Sequence, residues 1–205
     1  MLGTRTGDSK IAGALMFVAG VQFVIALVVA EALYQGYSIS QNYISDLGAT
    51  CRATCQIVDP TSTIFNSSVI ILGVLMIVGA YFMKRAFSSR LLSALIVLTG
   101  VGAIGVGVFP ETTGVTHHIF SLIAFVFAGL SAVASYRLEK PPLSYFSALL
   151  GVMTLGALVL YIFDIFLGLG PGGMERMIVY PSLAWAISFG GYLVGASLDS
   201  KASNT

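Results

Sequence analysis

Charged residues are scarce in this chain of 205 residues. Asp, Glu, Lys and Arg together make up 9% of the sequence, whereas about one quarter of a soluble globular domain is charged. Hydrophobic residues make up 57%, which is more than a soluble core of this size encloses. The composition therefore excludes a soluble globular protein. A formal net charge of +1 also gives no electrostatic field that would attract nucleic acid, so we expect no nucleic-acid partner.

Metal-binding residue types are equally few. The chain has two histidines, His117 and His118, and two cysteines, Cys51 and Cys55. Adjacent histidines on a helix point about 100° apart and rarely bind one ion, and a haem held by two histidines needs them on facing helices. We therefore expect no metal site and no cofactor. A zinc site formed by all four residues is the alternative by ligand count.

The two cysteines are separated by about one helical turn. This spacing allows the Cα separation that a disulfide needs, and disulfides persist in oxidising compartments. We predict a Cys51–Cys55 disulfide, with two free thiols as the alternative.

Long apolar blocks fill most of the sequence. Each is close to the length of about twenty residues with which an α-helix crosses a bilayer, and inside lipid such a segment must satisfy its own backbone hydrogen bonds as a helix. The first block is too long for the apolar region of a signal peptide. We predict an all-α, polytopic bundle of six transmembrane helices, a single membrane domain over residues 1–205. The predicted helices are approximately 11–33, 64–83, 90–109, 117–136, 143–168 and 177–198.

The ten lysines and arginines are unevenly divided between the two ends of this bundle. If the N-terminus is inside, only Arg52 and Arg176 lie outside, and the positive-inside rule favours that orientation. We predict a protein of the cell membrane with both termini cytoplasmic. Acidic residues show the opposite bias, and those predicted outside are Glu31, Asp46, Asp59, Glu111, Asp164 and Glu175.

Two outer segments are candidates for a functional site. The loop 34–63 is long, and loops of that length usually form a lid, a binding element or a disordered tether. The glycine-rich segment 168–173 predicts a flexible turn before the last helix. A charge near the membrane boundary is expected to have a partner. A structural pair of Asp164 with Arg176 is one interpretation, and a ligand clamp is the other.

His117 and His118 begin the predicted fourth helix. In one interpretation, one or both of them are interfacial residues. In the other, one of them faces the bundle and meets a carboxylate, which would allow proton transfer. Small residues four positions apart predict close helix contacts, and the pairs with this spacing are Ala103/Gly107 and Gly191/Gly195.

Four short motifs occur in order along the chain. They are Asn42–Gly48 (NYISDLG) in the first outer loop, Ile64–Asn66 at the start of the second helix, Gly107–Glu111 at the end of the third, and His117 or His118. Together they resemble the DUF998 family of prokaryotic membrane proteins, in the broader Frag1/DRAM/Sfk1-like group, over roughly residues 11–198. The resemblance implies recurrent polar positions on the outer side at Asn42, Ser45, Asp46, Asn66, Glu111 and one histidine.

The function that these observations favour is an outer-facing polar pocket for a lipid headgroup or a small polar ligand, with membrane lipids as partners. Two alternatives are open. One is a lipid-modifying enzyme that uses a carboxylate and a histidine as acid and base, and the other is a small-molecule transporter, for which an inverted repeat of three helices is possible. The candidate ligand-binding residues are Asn42, Ser45, Asp46, Asn66, Glu111, His117, His118, Asp164, Glu175 and Arg176.

Overall fold

The computed structural model describes residues 6–51 and 54–202, with residues 199–202 described by their backbone alone. Arg5 and Arg52, which contribute to the predicted orientation, lie outside the described residues. Six helices are each long and apolar enough to cross a membrane, which confirms the predicted all-α bundle. They are α1 (Thr6–Leu33), α2 (Thr61–Phe87), α3 (Arg90–Val108), α4 (Val115–Ser135), α5 (Leu143–Ile162) and α6 (Gly170–Ala202).

The helices form a ring in chain order. Each helix packs against the next, and α6 closes the ring by packing against α1. Helix α4 also contacts α6 directly, while α5 packs against both of them. The interior of the ring is therefore bounded mainly by the other five helices.

Helices α1 and α6 approach each other at two glycines. A Cβ atom added to Gly13 would lie 2.5 Å from the carbonyl oxygen of Gly190, and one added to Gly190 would lie 2.6 Å from that of Gly13. The predicted contact at Gly191/Gly195 is wrong, because nothing lies within 4 Å of such an atom at Gly195. Adjacent helical residues point about 100° apart, so the packing face passes through Gly190 instead. The predicted contact at Gly107 is confirmed by its approach to α2.

The described residues of the connection between α1 and α2, 34–51 and 54–60, fold over one end of the bundle. We call this connection the lid, and we call that end the lid end. Its 3-10 turn, Ser45–Leu47, is buried, and Thr50 pairs with Gln56 in an antiparallel bridge. The lid is therefore a packed cap. The opposite end, which we call the basic end, includes Lys84, Arg85, Arg90, Arg137 and Lys140.

The boundaries of the last two helices differ from the prediction. Helix α5 ends at Ile162 rather than 168, because Asp164 and Leu167 have positive φ angles of 56° and 51°. Helix α6 begins at Gly170 rather than 177. Proline is favoured in the first turn of a helix, and Pro171 occupies that turn here. The segment predicted as a flexible turn is thus partly helical, and Glu175 and Arg176 lie on α6 itself.

Candidate functional site

Arg176 fastens the lid to the bundle. Its side chain is 5% exposed and lies 2.6 Å from the carboxylate of Glu31 in α1. The guanidinium also donates hydrogen bonds to the lid carbonyls of Ile39 and Asn42, at 2.9 and 3.1 Å. A single buried cation therefore connects the last helix, the first helix and the lid.

The predicted pair of Asp164 with Arg176 is wrong. Asp164 is exposed in the turn that follows α5, because that helix ends at Ile162. Its carboxylate therefore does not reach α6. Glu31 is the partner of Arg176 instead.

Tyr37 extends this connection along the lid. Its hydroxyl accepts a hydrogen bond from Arg176 at 2.6 Å and donates one to the carbonyl of Tyr43 at 2.8 Å. Burial raises the pKa of Tyr37 above its usual range, so the hydroxyl keeps its proton for the second bond. This role could not be predicted from the sequence, since a tyrosine in a polar loop does not reveal what it contacts.

Glu175 is a buried carboxylate beneath the lid. It is 5% exposed and accepts a hydrogen bond from the backbone N–H of Ile44. Asp46 and Glu111 lie close enough to repel its charge, while Arg176 attracts it. Arg176 nevertheless gives its hydrogen bonds to other groups, so within the described part of the chain no cation forms an ion pair with Glu175.

Asp46 shapes the lid from within. One of its carboxylate oxygens accepts hydrogen bonds from the side chain of Asn42 at 3.0 Å and from the backbone N–H of Tyr43 at 2.8 Å. Asp46 is 1% exposed. The motif that carried the family resemblance therefore folds into a compact turn held by its own aspartate.

Two predicted residues hold the rest of the lid in place. The side-chain amide of Asn66 in α2 donates to the carbonyl of Gly48 at 3.2 Å, and Glu111 accepts a hydrogen bond from the backbone N–H of Cys51 at 3.2 Å. The predicted disulfide between Cys51 and Cys55 is confirmed. It removes both thiolates from the zinc alternative, and the described residues contain no cluster of three potential metal ligands.

The two histidines lie in different environments. His117 is 3% exposed, and its Nδ1 lies 2.8 Å from the carbonyl oxygen of Phe109. His118 is exposed. Of the two, His117 is therefore the histidine that faces the protein, and its hydrogen bond holds the end of α3 against the start of α4.

A cavity of about 100 Å³ lies inside the ring, beneath the lid. Of the ten predicted site residues, Ser45 and Glu175 line it. Trp185, which is 1% exposed, lies in its wall about 15 Å further along α6, at a rise of about 1.5 Å per residue. Apolar side chains form much of the remaining wall, among them Phe23, Phe65, Met76, Ala103, Phe125 and Leu183. The cavity is therefore an apolar chamber with one carboxylate at the lid end.

The arrangement separates two roles that the sequence could not distinguish. Arg176, Asp46, Asn66 and Glu111 bind protein groups and shape the lid, whereas Glu175 faces the chamber. The chamber can hold an apolar group and offer a negative charge to whatever lies beside it.

Comparison with known proteins places this architecture in a family. No curated protein and no solved structure matches the chain significantly. The family model described as "Protein of unknown function (DUF998)" matches residues 17–192. The match includes the lid, most of all six helices and every candidate site residue. The chain is therefore a multi-helix membrane protein of the DUF998 family.

Proposed function

We propose that this protein binds a small amphiphilic amine inside the bundle, with the ammonium group at Glu175 and the apolar part in the chamber. The observation that carries the proposal is a buried carboxylate at one end of a mainly apolar cavity, with no cation in an ion pair with it among the described residues. A buried charge is unfavourable by several kcal/mol unless it is paired. An ammonium group would supply both the opposite charge and hydrogen-bond donors.

The size of the chamber limits the apolar part of the ligand. An apolar cavity of about 150 Å³ accommodates benzene. A chamber of about 100 Å³ therefore fits an apolar group smaller than benzene, such as a short alkyl chain. The apolar walls favour such a molecule over a phospholipid headgroup.

The electrostatics of the lid end favour a cation. Asp46 and Glu111 add negative charge near Glu175, and the cation closest in sequence, Arg176, is bonded to Glu31. An anionic ligand would meet repulsion in the same position. Charge complementarity of this kind distinguishes partners that have equal apolar surface.

We further propose that the lid faces the outside of the cell membrane. The basic residues at the opposite end support this orientation through the positive-inside rule, and a disulfide in the lid agrees with an oxidising compartment. The ligand would then reach Glu175 from the external side when the lid moves.

Binding is favoured over acid–base catalysis by the position of His117. A catalytic pair needs a histidine and a carboxylate within hydrogen-bond reach. The ring of His117 instead forms a hydrogen bond with the carbonyl of Phe109. His117 is also not among the residues that line the chamber.

Fluorescence of Trp185 tests the proposal directly, because it is the single tryptophan and lines the chamber. The full chain in lipid nanodiscs is titrated with butylamine, butanoate and butanol, which share a short alkyl chain and differ in head charge. We expect a saturable change with butylamine and at least about tenfold weaker binding of butanoate, since a charge-assisted hydrogen bond contributes about 1.5–3 kcal/mol.

Two variants complete the test. Glu175→Gln should weaken butylamine binding by at least about tenfold and leave butanol binding unchanged. Asp59→Asn, which alters an exposed carboxylate in the lid, should leave the binding of both ligands unchanged. Equal affinities of Glu175→Gln and Asp59→Asn for butylamine would refute the proposal, as would a signal that grows linearly without saturation in the wild type.

A further inference from the structure

A second buried carboxylate lies at the basic end, away from Glu175. Glu139 follows α4, in the turn before α5, and is 7% exposed. The hydroxyl of Ser135 lies 3.2 Å from its Oε2, and the hydroxyl of Ser147 on α5 lies near enough to favour the ionised carboxylate. Its other oxygen, Oε1, has no hydrogen-bond partner among the described residues. A buried carboxylate in this state is costly while it is ionised.

Among the side chains that the structure describes, no cation forms an ion pair with Glu139. Arg137 and Lys140, its neighbours in sequence, are exposed. Among the described side chains of α6, the titratable group at this end is Tyr192, whose hydroxyl accepts a hydrogen bond from the backbone N–H of Lys140 at 3.2 Å. Burial raises the pKa of Glu139, against the opposing effect of the two serine hydroxyls, and no charged group contributes to this shift.

Ser135 links Glu139 to the chamber. A serine hydroxyl has one hydrogen to donate, yet two acceptors lie within its reach: the carbonyl of Ala132 at 2.8 Å and Oε2 of Glu139 at 3.2 Å. Oγ of Ser135 in turn accepts a hydrogen bond from the indole N–H of Trp185, at 2.9 Å. An ionised carboxylate attracts the serine hydrogen more strongly than a neutral one. The charge of Glu139 therefore determines which acceptor the Ser135 hydroxyl donates to. That choice changes the polar environment of the Trp185 indole.

We propose that Glu139 is a proton-binding site at the basic end and that its occupancy is transmitted through Ser135 to Trp185 in the wall of the chamber. A proton on Oε1 turns that atom into a donor. The site is independent of amine binding at Glu175.

A pH titration of Trp185 emission tests this site without any ligand. The full chain in lipid nanodiscs is measured between about pH 4 and pH 9, a range that spans the ordinary pKa values of carboxyl and imidazole groups. The wild type should show a step whose midpoint lies above that of an exposed glutamate. Glu139→Gln should abolish the step, while Asp8→Asn, which alters another carboxylate of the basic end, should retain it.

A second variant separates the transmission from the proton site. Ser135→Ala keeps Glu139 and should remove the step in Trp185 emission, although the carboxyl band of Glu139 should still titrate in infrared difference spectra. A step that persists in Glu139→Gln, or in Ser135→Ala if Glu139→Gln does not fold, would overturn the proposal. So would a midpoint that moves with Na⁺ at constant ionic strength, because the site would then take a metal cation.

Discussion

The carboxylate of Glu31 and the guanidinium of Arg176 lie 2.6 Å apart beneath the lid, joining the first and last helices of the bundle. Both side chains are largely buried, with 17% of Glu31 and 5% of Arg176 exposed. Since Arg176 also donates to the lid carbonyls, the integrity of the lid depends on the same side chain that closes the helical ring.

Replacing Arg176 by glutamine should lower the free energy of unfolding by about 3 kcal/mol, because Glu31 would keep a buried charge without its partner. Thermal unfolding of the purified protein measures the loss. Arg85→Gln is the matched control, since the Arg85 side chain is 41% exposed beside Asp8 and solvent-exposed ion pairs contribute little to stability. Similar losses in the two variants would contradict this prediction.

Gly172→Ala should displace the lid from α6. A Cβ atom at this position would overlap the carbonyl oxygen of Asn42, and a steric change of this kind typically destabilises by about 1–3 kcal/mol. Faster amide exchange in residues 39–42 is the expected signature. Gly156→Ala is the control, because nothing lies within 4 Å of its added Cβ. Unchanged exchange in the Gly172 variant would show that the lid tolerates the methyl group.

His117 and His118 are adjacent in sequence, but the first is buried and the second is exposed. His117→Ala should destabilise the protein by about 2 kcal/mol, because it leaves the carbonyl of Phe109 without its hydrogen bond. His118→Ala should change stability by less than about 0.5 kcal/mol, as is usual for exposed positions. Thermal unfolding of both variants decides the matter, and a larger effect at His118 would reverse the assignment of the buried histidine.

Stability should fall as pH rises through the pKa of Glu139 in the folded protein. Burial raises that pKa, so the stabilising contribution of the protonated form is complete below the unfolded value of about 4.3 and is lost as pH increases. The difference in melting temperature between the wild type and Glu139→Gln should therefore grow as pH rises, with the variant melting at the higher temperature. A divergence in the opposite direction would mean that the ionised form is the better accommodated one.

The helical spans could be predicted because a segment inside lipid must satisfy its own backbone hydrogen bonds, and the predicted span 90–109 agrees almost to the residue with α3. The start of α6 could not be predicted in this way. A Gly-Pro-Gly-Gly sequence is typical of a turn, and it is helical here because its small residues let the lid backbone pack against them: Gly172 and Gly173 donate N–H groups to the carbonyl of Ser40. That contact is tertiary and leaves no periodic signal in the sequence.

The candidate residues show the same division. Their position near one end of the bundle followed from the order of helices and loops, but the partner of Arg176 depended on where α5 ends. No motif or spacing in the sequence distinguishes Glu139 from an exposed carboxylate. Its burial results from packing among α4, α5 and α6, which only the three-dimensional arrangement reveals.

The attachment of the lid to α6 has a consequence for biosynthesis. The bond between Arg176 and Ile39 joins residues 137 positions apart, so the lid emerges from the ribosome long before the helix that anchors it. Closing so large a loop is entropically demanding. The cap over the chamber is thus completed only after the sixth helix has entered the membrane, and translation arrested before that point would leave an open bundle.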